Sequence, residues 1–147
     1  MRCYLFDLDG TLCDNTHRLH HITGEAKNWT AFYAEVGRDK PIPHGIRLLK
    51  DLAGSLTRNI VYITGRSEEC RKDTEDWLNR QGVPTAPIYM RAVGDHRPDT
   101  EVKAELIEKA MKKGGCEPVF MFEDRSRVVE AVRALGIPCA QVAEGAY

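Results

Sequence analysis

What most constrains the fold of this chain is an alternation. Apolar, β-rich runs at 2–7 (RCYLFD), 59–64 (NIVYIT), 87–91 (PIYMR), 118–123 (PVFMFE) and 138–142 (PCAQV) are separated by segments of helical period. Most runs are continuous rather than alternating, as expected of parallel strands covered on both faces. Segment 43–56 sets Ile46, Leu49, Ala53 and Leu56 on one stripe. Segment 67–81 sets Cys70, Thr74, Trp77 and Leu78 on another; it opens with Ser67-Glu68-Glu69 and stops at Gly82, which are N-cap, first-turn acid and C-terminal glycine signals. Segment 99–113 stops at Gly114-Gly115, and 125–135 carries Val128, Val132 and Leu135 and stops at Gly136. A shorter helix, 28–36, sits in the stretch after the first strand. This order predicts an α/β fold: a Rossmann-like, doubly wound, parallel five-stranded sheet with right-handed crossovers. At 147 residues the chain is one domain.

Composition narrows the class. With 42% apolar and 29% charged residues the chain reads as an ordinary soluble domain. No apolar run approaches the roughly 20 residues that span a bilayer. The N-terminus enters a strand at once, without a signal-peptide pattern. Both features point to the cytoplasm and away from a membrane. The five cysteines are scattered, odd in number and without a C-x-x-C pair, which predicts free thiols. A net charge of −1 gives no global basic field for nucleic acid.

In doubly wound sheets ligands bind outside the carboxyl ends of the strands. Here those ends carry Asp7-Leu8-Asp9-Gly10-Thr11, Thr64-Gly65-Arg66, Arg91 and Glu123-Asp124-Arg125. Acids, a hydroxyl and guanidinium groups are thus predicted to converge on one crevice. Lys103 stands in the first turn of its helix, where the dipole disfavours a cation, and shares an inward stripe with Ile107 and Ala110. A local rule broken beside such a crevice marks a candidate functional residue. The plain alternative is a lysine whose stem covers apolar surface.

The set DLDGT at 7–11, Thr64, Lys103 and the acid pair 123–124 resembles the haloacid dehalogenase superfamily of phosphohydrolases, in order and on matching elements. The resemblance implies an aspartyl-phosphate mechanism, which splits one hard step into two. Asp7 is then the nucleophile. Asp9 returns to the same side of the extended chain two residues on and serves as acid–base. Gly10 allows the sharp turn, and Thr11 supports it. Thr64 and Lys103 hold the phosphate oxygens. The resemblance also implies Mg²⁺, a hard cation for hard oxygen ligands, held by Asp7, the backbone carbonyl of Asp9 and an acid after the fourth strand. Asp124 is the best match for that acid, and Glu123, standing where the superfamily often has aspartate, is the other candidate metal residue.

The stretches 123–147 and 94–107, and Arg18 eleven residues after Asp7, are similar to the phosphatase domains of the phage polynucleotide kinase–phosphatase family. That implies removal of 3′-phosphates from nucleic-acid ends or nucleotides. It implies substrate contacts by Arg18, Arg66, Arg91, Arg97, Gly65 and Gly10, with Asp99 orienting Lys103 across one helical turn or capping the helix, and Arg125 supporting. The alternatives are a 5′(3′)-nucleotidase or general small-ester phosphatase, a phosphotransferase, or a non-catalytic phosphate-binding module. No P-loop is present in these residues, so the chain is not a kinase by itself.

Only one insertion is long enough for a cap. Residues 15–42 are expected to form a small lid, with one phosphatase domain spanning 1–147. His17, His20 and His21 read better as part of a mobile polar lid than as a metal site, for want of a fourth ligand. Trp29, Phe32 and Tyr33 suit packing better than base stacking. The segment up to Arg18 lacks a core rhythm, as if it left the core to border a substrate.

Overall fold

The computed structural model describes residues 1–55 and 59–145; Leu56 and the last two residues of the tail, Ala146 and Tyr147, lie outside them. Five strands form one parallel sheet: β1 (Arg2–Phe6), β4 (Asn59–Ser67), β5 (Ile88–Arg91), β6 (Glu117–Arg125) and β7 (Cys139–Gly145). The order is β5-β4-β1-β6-β7. The chain therefore adds strands first on one side of β1 and then on the other, so β1 and β6 flank the switch point. Helices α2 (Pro43–Ala53), α3 (Arg71–Arg80), α4 (Asp99–Lys112) and α5 (Ser126–Ala134) connect them.

Successive residues of β1 go to opposite faces. Cys3 and Leu5 pack with Ile107, Val128 and Val132, against α4 and α5. Phe6 packs with Leu49, Trp77 and Leu78, against α2 and α3. Burial on both faces is why the strands read as continuous apolar runs. All five cysteines are free and buried. Among the described residues no helix is long and apolar enough to cross a membrane.

Several boundaries differ from the sequence expectation. β4, β6 and β7 run on to Ser67, Arg125 and Gly145. The register shifts between Thr64 and Ser67, and again between Glu123 and Arg125. Such bulges carry a strand past its apolar run and re-aim its side chains. Ser67 caps a 3₁₀ turn, Glu68–Cys70, and α3 begins only at Arg71. The predicted helix 28–36 is shorter: α1 is Trp29–Ala34, capped by Asn28 through the N–H of Ala31.

The insert is not a polar loop. Two short strands, β2 (Cys13–Asp14) and β3 (Lys40–Pro41), pair antiparallel and close its neck. Between them lie 3₁₀ turns at Thr16–His21 and Val36–Arg38 and helix α1. Phe32, Tyr33 and Val36 form a buried cluster with Cys70 and Met90 of the main body. Nor does the segment after β1 leave the core. Leu8, Leu12 and Cys13 are fully buried with the residues of α2 and α3. Their spacing follows a tight turn in which the Leu8 carbonyl accepts from the N–H groups of Thr11, Leu12 and Cys13, so neither strand nor helix periodicity reveals it.

Candidate active site

Asp7 directly follows β1 and remains tied to the sheet, its N–H donating to the Phe122 carbonyl at 3.1 Å. Thr11 Oγ1 donates to its Oδ2 at 3.4 Å. The chain turns at Gly10, where φ is +82°. A Cβ there would stand 2.1 Å from Asp124 Oδ2, so backbone conformation and close approach both require glycine. β1 and β6 can therefore present Asp7 and Asp124 to the same point.

Lys103 is buried as its stripe predicts. Nζ donates to Asp7 Oδ1 and to Glu123 Oε2, both at 2.7 Å. Burial would lower its pKa, but Asp7 and Glu123 outweigh that and hold it raised. This is why a cation survives in the first turn of α4. Glu123 spends its other oxygen on the N–H groups of Asp124 (3.0 Å) and Arg125 (3.1 Å), at the start of α5. Burial alone would raise the Glu123 pKa; Lys103 and these donors bring it down. Asp7 is on the losing side of the same balance. Burial and then the Glu123 charge push its pKa well above the ordinary carboxylate value, against the pull of Lys103. Asp7, Glu123 and Asp124 each offer an oxygen within 4.8 Å of the others.

Asp9 faces the same cavity under opposite control. Arg18 Nη2 donates to its Oδ1 at 2.6 Å. Arg66 donates through Nη2 to Oδ1 at 2.8 Å and through Nε to Oδ2 at 3.0 Å. Burial works to raise its pKa, but Arg66 first and Arg18 next bring it down to about 2.

Arg18 differs from the substrate-binding expectation, whereas Arg66 lines the cavity. Both are fully buried, and Arg18 does not reach the cavity wall. Their second anchor is Asp39, a residue that sequence reasoning missed. No spacing marks it: it lies 21 residues from Arg18 and 27 from Arg66. Only the need of two buried guanidinium groups for a second carboxylate could have pointed to it. Periodicity makes Thr74 and Trp77 core positions, yet both also serve this cluster. Thr74 Oγ1 accepts from Arg66 Nη1 (3.1 Å) and Trp77 Nε1 donates to the Asp39 carbonyl (2.7 Å).

Thr64 is buried, its Oγ1 accepts the Arg66 N–H at 3.2 Å, and it does not line the cavity. Its neighbour Gly65 does; a Cβ there would lie 2.6 Å from Asp99 Oδ1. Asp99 is neither cap nor hydrogen-bond partner of Lys103. Pro98 is the N-cap of α4, and the Asp99 carboxylate instead accepts from Arg91 and Arg125. Arg91 also donates to the carbonyls of Gly65 (2.8 Å) and Arg97 (2.6 Å), holding the loop after β5. Arg97 pairs with Asp95 at 2.8 Å and Glu105 at 2.7 Å.

These residues enclose a cavity of about 710 Å³. Asp7, Asp9, Lys103, Arg66, Arg91, Arg97 and Arg125 all line it, with Lys27 and Trp29 from the insert. The three aromatic residues part company here. Phe32 and Tyr33 are buried, whereas Trp29 is 39% exposed. Two of the three histidines have carboxylate partners: His17 Nε2 meets Asp39 at 2.7 Å and His21 Nε2 meets Glu35 at 3.3 Å.

A family model of the polynucleotide kinase PNKP phosphatase domain matches residues 1–147. The chain is 28% identical over 138 residues to a protein of Autographa californica nuclear polyhedrosis virus named "Putative bifunctional polynucleotide kinase/RNA ligase", covering 93% of this chain and 18% of that one. It superposes with a TM-score of 0.82 on a chain of the Pnkp1/Rnl/Hen1 RNA repair complex, at 25% identity, over 99% of this chain and 43% of the other. A class C acid phosphatase from Bacillus anthracis shares the fold, with a TM-score of 0.62 over 97% of this chain and 68% of that one, at 19% identity. The chain thus spans under a fifth of its viral relative and under half of the repair-complex chain. Because the phosphatase-domain model runs the length of the chain, over a sheet whose switch point carries the carboxylates and lysine described above, the protein belongs to the PNKP phosphatase-domain family of the haloacid dehalogenase superfamily and is a phosphoric monoester hydrolase.

Proposed function

We propose that this domain removes 3′-phosphates from nucleic-acid ends or nucleotides, with Asp7 as nucleophile, Asp9 as acid–base group and the insert 15–42 as a small lid. One observation carries the reading. Asp7 is hydrogen-bonded to Lys103 on the wall of a cavity that Arg91, Arg97 and Arg125 also line. An anionic phosphate is thereby drawn to a carboxylate that would otherwise repel it. The relatives named for polynucleotide kinase and RNA repair support a polynucleotide substrate.

The donor set fits a hard divalent cation such as Mg²⁺. Three clustered carboxylates share one lysine, so the point is short of positive charge and rich in hard oxygen. Glu123 is committed to Lys103 and to two backbone N–H groups, whereas Asp7 Oδ2 has only a long 3.4 Å contact with the Thr11 hydroxyl, so Asp7 and Asp124, with the Asp9 carbonyl, would hold the ion. Bound there, it would neutralise phosphate charge and orient the ester.

In the first step an Asp7 oxygen attacks phosphorus, the P–O bond to the substrate's 3′ oxygen breaks, and that oxygen takes a proton from Asp9. In the second step water attacks the aspartyl-phosphate and gives its proton to Asp9, releasing phosphate and Asp7. Lys103 offsets charge on Asp7 and the phosphate in both steps. With Arg66 and Arg18 in place Asp9 is ionised, which is the form the second step needs. For donation in the first step Asp9 takes up a proton as the phosphate binds: the phosphate's negative charge beside it offsets the guanidinium charges and raises its pKa while the Arg66 and Arg18 hydrogen bonds stay in place.

The test is a panel of 3′-phosphorylated oligonucleotides, nucleoside 3′- and 5′-monophosphates and sugar phosphates, with Asp7→Asn as the blank. The expected result is preference for 3′-phosphates and a loss on the order of 10³-fold or more in the variant. Preference for 5′-monophosphates, or phosphate release that survives Asp7→Asn, would refute the reading.

A further inference from the structure

We propose that Asp39 is a positioning residue for catalysis, holding Arg18 and Arg66 so that both grip Asp9 and fix its carboxylate beside Asp7. This rests on the acid–base reading of Asp9.

The Asp39 side chain is wholly shielded from solvent. A buried carboxylate costs several kcal/mol unless paired and hydrogen-bonded. This one is saturated. Oδ1 accepts from Arg18 Nε at 2.8 Å and meets His17 Nε2 at 2.7 Å. Oδ2 accepts from Arg18 Nη2 at 2.9 Å and Arg66 Nη2 at 2.8 Å. Those same two Nη2 atoms also reach Asp9 Oδ1. The four side chains therefore close a ring of two carboxylates and two guanidinium groups with no net charge.

The ring is held from outside at the Asp39 end. Trp77 of α3 fixes the Asp39 carbonyl, and β3 begins at the next residue. Arg18 lies 4.2 Å over the Phe32 ring, and Arg66 Nη1 donates to Thr74. At the other end Asp9 is 24% exposed and lines the cavity with Asp7, whereas Asp39 does not. A merely structural cluster has no need to end in the cavity. Both Asp9 oxygens depend on guanidinium nitrogens, and the orientation of those groups depends on Asp39. Remove the Asp39 charge and two buried cations share one carboxylate; Arg66 is then free to follow any phosphate, and Asp9 loses its fixed direction.

The test uses leaving-group dependence. A group that protonates the leaving oxygen matters for a nucleoside 3′-phosphate, whose alkoxide leaves poorly, and little for p-nitrophenyl phosphate, whose phenolate leaves well. We would measure kcat/KM, which reports steps up to alcohol release, for both esters with wild type, Asp39→Asn and Asp9→Asn. Taking the ratio of the two esters within one preparation cancels any change in folded fraction. Asp9→Asn is expected to lose at least about 10-fold more on the nucleotide than on p-nitrophenyl phosphate, and Asp39→Asn to follow in the same direction. Equal losses on both esters in Asp39→Asn, beside a discriminating Asp9→Asn, would overturn the positioning role and leave Asp39 structural. An Asp9→Asn enzyme that does not discriminate would overturn the acid–base reading and the role of Asp39 with it. If Asp39→Asn yields no folded protein, Asp39→Glu, which keeps the buried charge but displaces the carboxylate by one methylene, takes its place: an ester ratio shifted like that of Asp9→Asn supports the positioning role, and equal losses overturn it.

Discussion

Gly10 shows how much one missing methyl group permits. Its φ of +82° and its contact with the Asp124 carboxylate are independent demands, and alanine fails both. Gly10→Ala is expected to cost about 1–3 kcal/mol of stability and, by displacing Asp124, to lower kcat/KM at least about tenfold; thermal melts and initial rates check it, and a fully active variant would refute the argument. At this scale the sequence is most readable where chemistry breaks a local rule. Lys103 stands out because a helix start is the wrong place for a cation, and the carboxylates that keep it there are 96 and 20 residues away. Glu123 is harder. Its longer side chain returns to Lys103 and to the first N–H groups of the following turn, and nothing in the letters Glu-Asp assigns that task to one acid over the other.

Elements are readable where both faces are buried, because continuous apolar runs and glycine stops follow from packing alone. The ends of β4 and β6 are not. There the strands carry Gly65, Arg66 and Asp124 through bulges, and residues chosen for a site do not advertise a strand. The insert is least readable, since it is held by a two-residue strand pairing between its distant ends, a cluster shared with Cys70 and Met90, and ion pairs distant in sequence. Helix α1 divides its aromatic residues between two tasks. Phe32 and Tyr33 pack inward, as periodicity favours, while Trp29 stacks on Tyr33 at 5.9 Å and stays exposed on the cavity wall near Lys27. An aromatic face beside a cation suits a base and its phosphate, and such stacking is worth about 1–3 kcal/mol. Trp29→Ala is therefore expected to raise KM for a 3′-phosphorylated oligonucleotide about 5- to 100-fold and to change p-nitrophenyl phosphate turnover less. Equal changes on both would show that Trp29 only props the insert.

Over the whole molecule, charge is what motivates the proposed cation. The chain is almost neutral, yet three carboxylates crowd the switch point around one lysine, and Asp7 bears the imbalance. A cation bound only by the folded state adds about 2.7 kcal/mol at a hundred times its Kd, or roughly 5–10 °C in a domain of this size. Mg²⁺ should raise Tm by that order, a chelator should reverse it, and Asp124→Asn should abolish it; an unchanged Tm in saturating Mg²⁺ would argue against the site. The global layout is plain in the sequence, because each β–α unit carries its own periodicity, whereas the pairing of Asp39 with two arginines exists only once the insert has docked. The β2–β3 neck adds one more consequence. Its two pairs, Cys13 with Pro41 and Asp14 with Lys40, bring the insert's ends together beside the body. Since closing a longer loop costs only about 0.6 kcal/mol per doubling of length, that neck is a natural splice point: a larger cap could be transplanted there without moving Asp7, provided the graft carries its own counterparts of Arg18 and Asp39.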